Sequence, residues 1–164
     1  MFERFLLKYF VKPGDNVTDK SPNYLFFANM RKNLLQARWR TKEGKAILKN
    51  WEASNYSRSI LDKNVGKFLS RTDLRGLYIP NTNLSRVDLS HVDLYGANLE
   101  KCVLHTTNLK YSHLSEADIS GTVFDYADMK GVYMDYAFSD KNTSFKNVNL
   151  DRKVIVFLKK GEKF

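Results

Sequence analysis

The chain has 164 residues, with Lys+Arg 27 against Asp+Glu 18 and a formal charge of +9. A single cysteine, Cys102, excludes intramolecular disulfides and cysteine-based zinc sites and makes a reducing compartment the default expectation. No apolar run approaches the ~20 residues of a membrane-spanning helix. With 43% hydrophobic and 27% charged residues, the composition is that of a chain able to bury a core.

The charge is unevenly spread. Residues 1–71 carry 15 Lys/Arg and 6 Asp/Glu (15 − 6 = +9), residues 72–150 carry 7 and 10 (−3), and residues 151–164 carry 5 and 2 (+3). This divides the chain into a basic N-terminal region (1–70), a mildly acidic centre (71–150) and a basic C-terminal strand or tail (151–164).

In chain order, Phe2, Phe5, Leu6, Tyr9 and Phe10 lie at helical spacing, opposite Glu3, Arg4, Lys8 and Lys12, and Pro13-Gly14 ends that helix. Lys8 interrupts the apolar stretch of residues 1–11 and no small-residue cleavage site follows, so the segment does not read as a signal peptide. Ser21-Pro22 starts a second helix running towards Trp39, since proline suits the first helical position. Thr41 is placed to cap a third through Ile47, Leu48 and Trp51, weakened by Gly44. Ser57 to Val65 fits either a short helix or irregular chain.

From Leu69 an apolar residue recurs at every fifth position. The inward plugs are Leu74, Ile79, Leu84, Leu89, Leu94, Leu99, Leu104, Leu109, Leu114, Ile119, Phe124, Met129 and Met134. Two places before each plug the residue is mostly small, and one place before it Asp or Asn dominates. A helix advancing ~100° per residue would wind this set around every face, and a flat strand at ~180° would send it to alternate faces. Only a chain that turns a corner once per repeat buries the whole set. The small residue and the plug then point inward, and the Asp or Asn between them points outward, where its side chain supports the turn.

The triplets Ala97-Asn98-Leu99, Ala117-Asp118-Ile119 and Ala127-Asp128-Met129 closely resemble the A(D/N)LXX motif of the pentapeptide-repeat family. The resemblance covers residues 72–137, with weaker repeats at Phe145 and Leu150. It implies a mainly β fold: a right-handed quadrilateral β-helix of about four coils, twenty residues per coil, here with an N-terminal α-helical basic cap. Phe145 lies eleven residues after Met134 instead of ten, so 138–144 reads as a loop with one extra residue. Solenoid ends need covering, and Val154 to Leu158 reads as a closing strand flanked by Lys159-Lys160.

No conventional catalytic constellation is present. His91, His105 and His113 fall on three different walls, so neither a metal site nor a triad is expected, and no catalytic residue, metal or cofactor is assigned. Cys102 occupies a small inward slot and reads as an inert apolar residue. The Asp/Asn ladder reads as turn chemistry in preference to acid–base or calcium chemistry.

Stacking every twentieth residue brings Asn83, Val103 and Val123 onto one wall, so two valines stand where the repeat calls for Asp or Asn. The neighbouring corner columns supply His105 and Tyr126, and the next corner supplies His91 and Tyr111. Such an outward apolar stripe suggests either a contact surface for a protein partner or lateral cover by the N-terminal helices. Tyr133, Tyr136 and Phe138 form a second aromatic cluster for self-association, as a homodimer, or for cover by a loop. Arg31, Lys32, Arg38, Arg40, Lys42, Lys45 and Lys49 are interleaved with Phe26, Phe27, Trp39 and Trp51. This pattern suits a solvated capping bundle, a nucleic-acid contact, an acidic protein partner or an anionic membrane surface.

These readings converge on a non-enzymatic protein-binding scaffold that presents a rigid β-helical surface to a partner protein. Alternatives from the resemblance are a nucleic-acid-associated or topoisomerase-modulating protein working through the basic N-terminal region, and a secreted bacterial effector. Placement in a bacterial cytoplasm is the family-level expectation.

Overall fold

The structure is a computed structural model. It describes residues 22–151, and the side chains among them from Met30 onward. The anticipated helix over Phe2–Lys12 and strand over Val154–Leu158 lie outside the described residues.

Three helices come first: α1 (Pro22–Arg40), α2 (Lys42–Ala53) and α3 (Arg58–Asn64). Thr41 caps α2, its side chain accepting from the Gly44 N–H at 3.0 Å. Gly44 weakens helix propensity but is needed for packing. A Cβ there would lie 2.3 Å from the Arg38 carbonyl oxygen and 2.7 Å from the Trp39 Cα, so only glycine lets α2 leave α1 at so tight a corner. Ser57 to Val65 resolves as the short helix α3 with its flanking caps.

A hairpin leads into the repeats. Strands β1 (Lys67–Phe68) and β2 (Arg71–Asp73) pair antiparallel, with Phe68 opposite Arg71. The two turn residues, Leu69 and Ser70, both have positive φ, the backbone of a type I′ turn. Leu69, where the five-residue rhythm begins in sequence, is therefore not a plug: it sits in this turn, 51% exposed. The inward series starts at Leu74.

Strand β2 pairs parallel with β3 (Val92–Asp93), and the same twenty-residue offset then continues as single bridges. Four walls follow. Wall A stacks Asp73, Asp93, His113 and Tyr133, and wall B stacks Tyr78, Asn98, Asp118 and Phe138. Wall C stacks Asn83, Val103, Val123 and Ser144, and wall D stacks Asp88, Asn108, Asp128 and Asn149. Each level is tied to the next by backbone bonds: the Leu84 N–H donates to Val103 O at 2.8 Å, and the Val103 N–H to Thr82 O at 3.0 Å. At the corners, N–H groups return three residues, from Leu77 to Leu74 O and from Cys102 to Leu99 O. The third residue of each such turn has positive φ, including non-glycines such as Lys101 and Thr106. Those positions are costly for L side chains. They are held because the plug on either side is buried.

Every plug from Leu84 to Met134 is buried, as is Leu74, while Ile79 is half-buried against the same cluster. Each fully buried leucine contributes about 1.5–3 kcal/mol. The small inward residues also satisfy backbone. Hydroxyls of Thr107, Thr122 and Thr143 donate to the carbonyls of Leu84, Leu99 and Ile119, and the Cys102 thiol to that of Ile79. The extra residue near the C-terminal end falls between Phe138 and Ser144. Phe138 still pairs twenty residues back with Asp118, whereas Ser144 pairs twenty-one back with Val123. Thr143 re-enters the buried interior and the stacking resumes.

The helices meet the coil in two ways. Trp51 and Leu61 join the same buried cluster as the plugs, and Arg58 donates to Ser90 O and to the Thr72 hydroxyl. Helix α1 climbs the A–B corner. Its Trp39 indole donates to Arg75 O, Gln36 to Gly96 O and Lys32 to Glu116 O, one level apart each time. Closest approach is at Gly76, φ +67°, where a Cβ would lie 2.4 Å from the Leu35 carbonyl carbon. Gly76→Ala is expected to cost about 2 kcal/mol or more in urea unfolding, whereas Gly66→Ala, with open space around it, should change stability by under about 0.5 kcal/mol.

Candidate functional site

Because the interior is filled with apolar side chains, the outer walls and corners are what the coil offers to solvent. Asp and Asn do the same job at each turn: their Oδ1 accepts from the N–H two residues on, as in Asn83 to Ser85, Asp88 to Ser90, Asn98 to Glu100 and Asp118 to Ser120. Wall D extends this into a ladder, with Asn108 donating to Asp88 and Asn149 to Asp128, and Lys110 pairing with Asp128 at 2.8 Å.

Val103 and Val123 break the ladder on wall C. They stack on adjacent levels, Val103 36% exposed and Val123 half-buried. Neither can accept the turn N–H, so nothing in turn chemistry explains them. Beside them on the C–D corner the rings of His105 and Tyr126 lie 5.3 Å apart, and Tyr126 is exposed. Asp125 at that corner accepts from Ser144 and from the Lys146 N–H; burial opposes its charge, but these bonds hold its carboxyl below the usual range.

His91 and Tyr111 do stack, at 5.1 Å, but on the D–A corner. The whole of wall D separates them from the valines. The six residues grouped from the sequence thus fall into a set of four and a set of two. Tyr133 (wall A), Tyr136 (A–B corner) and Phe138 (wall B) come together on the uppermost level, all exposed.

Lateral cover by the described helices falls on the A–B corner, diagonally opposite the corner that carries His105 and Tyr126. The basic set is divided. Arg38 grips Asp73 at 2.9 Å, Lys32 reaches Glu116 O, and the Arg40 guanidinium lies 5.1 Å from the Tyr78 ring. Trp39 and Trp51 are buried. Lys42, Lys45 and Lys49 remain exposed along α2.

A family model described as pentapeptide repeats matches residues 69–105 and 106–135, in eight copies. The chain carries pentapeptide repeats. Such repeats imply a right-handed quadrilateral β-helix, in keeping with the four walls and twenty-residue offset described above. Among solved structures, the chain is similar to QnrB1, a plasmid-mediated fluoroquinolone resistance protein, at 16% identity and a TM-score of 0.46, covering 55% of this chain and 43% of that one. It is also similar to a pentapeptide repeat protein of the Arabidopsis thaliana thylakoid lumen, at 27% identity and a TM-score of 0.24, covering 60% and 84%. A third, from Nostoc, has 20% identity and a TM-score of 0.27, covering 65% and 94%. The chain thus spans less than half of QnrB1. No curated protein matches the sequence.

Two polar clusters of the repeat coil were not singled out from the sequence. On wall A the His113 Nδ1 lies 3.1 Å from the buried Asp93 carboxylate, between the rings of Tyr95 and Tyr133. Counting twenty residues from Asp93 finds this pair. Below it, Asp73 binds both Arg38 and Arg75, and the Arg75 guanidinium lies 3.4 Å from the Phe68 ring. Nothing local in the sequence marks Arg38 as the partner. Cys102 is buried, and burial pushes its thiol up to about 11, away from nucleophilic use. Among the described residues no cluster of His, Cys, Asp or Glu is arranged to hold a metal.

Burial would raise the Asp73 carboxyl, but the hydrogen bonds from Arg75 and Arg38 outweigh it and bring it down to about 2. A depressed carboxyl stabilises the fold above its unfolded value, near 4, and loses that contribution as pH falls towards 2. The stability gap between the wild type and Asp73→Asn should therefore narrow by about 2 kcal/mol from pH 5 to pH 2 in urea titrations. A pH-independent gap would remove the clasp from the account.

Proposed function

We propose that the chain is a non-enzymatic scaffold whose repeat coil, capped by the helices of residues 22–64, presents wall C and the C–D corner to a protein partner. The observation that carries this reading is the outward pair Val103 and Val123, stacked on adjacent levels of one wall at the position where the motif calls for Asp or Asn. Outward valines cost solubility and add nothing to the lumen. Beside them, His105 and Tyr126 supply aromatic area and a polar rim. The surface is preorganised, since every level is hydrogen-bonded to the next, so little ordering entropy opposes recognition.

Nucleic-acid binding through the N-terminal region has less support, because Arg38 and Lys32 are engaged with the coil and both tryptophans are buried. Self-association through Tyr133, Tyr136 and Phe138 is compatible with the same scaffold role and uses a different level of the coil.

Tagged wild type and the double variant Val103→Asp/Val123→Asp are to be compared by affinity purification from the native organism, with light scattering on each. The reading predicts a protein retained by the wild type and lost by at least about tenfold from the variant, at unchanged circular dichroism and thermal midpoint. Identical partners and identical oligomeric state for the two proteins would exclude wall C.

A further inference from the structure

Charge is divided between the helices and the coil. Residues 22–70 carry ten Lys/Arg and three Asp/Glu (10 − 3 = +7), and residues 71–151 carry eight and eleven (8 − 11 = −3). Part of the first set is engaged: Arg38 with Asp73, Lys32 with Glu116 O, and Arg58 with Asp62 and Ser90 O. Lys42, Lys45, Lys49, Lys63 and Lys67 are exposed, and among the described residues the side chain of none of the five forms an ion pair or a hydrogen bond.

Three of these lysines share one face of α2. Gly44, Ile47, Leu48 and Trp51, at i, i+3, i+4 and i+7, are turned to the fold, with Gly44 and Trp51 buried and the other two half-buried. Lys42, Lys45 and Lys49, at i, i+3 and i+7, occupy the opposite side. The stripe begins at the helix N-terminus, where the macrodipole disfavours cations, so folding does not explain it. Glu43 and Glu52 stand near the two ends of α2 and pair with none of the three.

The chemistry of this face selects among anionic partners. Protein–protein interface cores are poor in lysine and rich in aromatic residues and arginine. A helix lying in a membrane interface needs an apolar face turned to the lipid, and the apolar face of α2 is turned to the fold. The one ring of α2, Trp51, is buried, which leaves no platform there for the stacked bases of a single strand. Nucleic-acid interfaces are polar and strongly positive. Lys42 to Lys49 spans about 10 Å of helix, and over that length one strand of a duplex presents about three phosphates.

We propose that the lysine face of α2, with Lys63 and Lys67 on the same end of the coil, docks on the phosphate backbone of duplex nucleic acid without regard to sequence. Lysine supplies point charges and no planar fork, which suits backbone contact and not base reading. The contact uses neither Arg38 and Lys32, which hold the coil, nor the buried tryptophans. It lies apart from wall C, and each reading can fail alone.

Fluorescence anisotropy with two short DNA duplexes of unrelated sequence, from about 50 mM to about 200 mM salt, tests the docking. The wild type is expected to bind both duplexes equally. Lys42→Gln/Lys45→Gln/Lys49→Gln should weaken both by at least about tenfold at the lower salt, and should lower the slope of log affinity against log salt by about 3, with circular dichroism unchanged. Lys110→Gln/Lys130→Gln/Lys146→Gln, which removes the same charge from the coil, should weaken binding by less than about threefold. No binding at the lower salt, equal losses from the two triple variants, or a preference for one duplex would overturn the proposal. So would tighter binding to polyglutamate, which assigns the face to an acidic protein, or to phosphatidylglycerol vesicles, which assigns it to a membrane.

Discussion

The constraint from which the rest follows is closure of the coil every twenty residues. A backbone that turns four corners per level has no partner within its own level for most of its N–H and C=O groups. Those groups are satisfied only if the next level lands in register above, as the N–H of Leu84 does on Val103 O and that of Leu104 on Val123 O. Register in turn requires an inward plug at each fifth position. A plug displaced by one residue would put Asp or Asn in the lumen and leucine in water. The positive φ values at the corners, including those of Thr106 and Tyr126, are tolerated on the same account: the buried plugs on both sides leave the corner no other path.

Closure also decides what is left for biology. A lumen filled by leucine, isoleucine, phenylalanine and methionine holds no substrate, and Cys102 inside it is bonded to the Ile79 carbonyl. Departures from the repeat are informative only where the repeat does not need them. The extra residue after Phe138 is absorbed locally, with Asp140 bonding to the Gly121 N–H and Thr143 to the Ile119 carbonyl. Val103 and Val123 are different, since they replace turn-supporting side chains and gain no internal partner. The helices at the start serve closure as well. The first level has no further coil beneath it among the described residues, and there Trp51, Leu61 and the hairpin's Phe68 meet the coil, with Asp73 clasped by Arg38 and Arg75.

Much of this was legible from residues alone, because a period-five pattern is a local signal repeated many times. The plugs, the small inward slots, the outward Asp and Asn, and the stacking of Val103 over Asn83 and under Val123 all follow from counting. Leu69 shows the limit: it keeps the rhythm but lies in the hairpin turn, because the coil begins only once β2 has a level to pair with. Gly44, read as a weak point in a helix, is instead the residue that lets two helices touch. The placing of His91 and Tyr111 one corner on from His105 and Tyr126 also follows from counting, whereas the route of α1 and the clasp of Asp73 needed contacts distant in sequence, such as Lys32 with Glu116 and Arg38 with Asp73. No local pattern specifies these.

The most direct test is a cysteine-accessibility scan along half of one level, residues 97–106, in a Cys102→Ala background with a maleimide reagent. Modification is predicted at 98, 100, 101, 103, 105 and 106, with protection at 97, 99 and 104 until the protein unfolds. Reactivity that alternates strictly, repeats with the 3.6-residue rhythm of a helix, or is high at Leu99 and Leu104 would contradict the filled coil and with it the account of the outer walls.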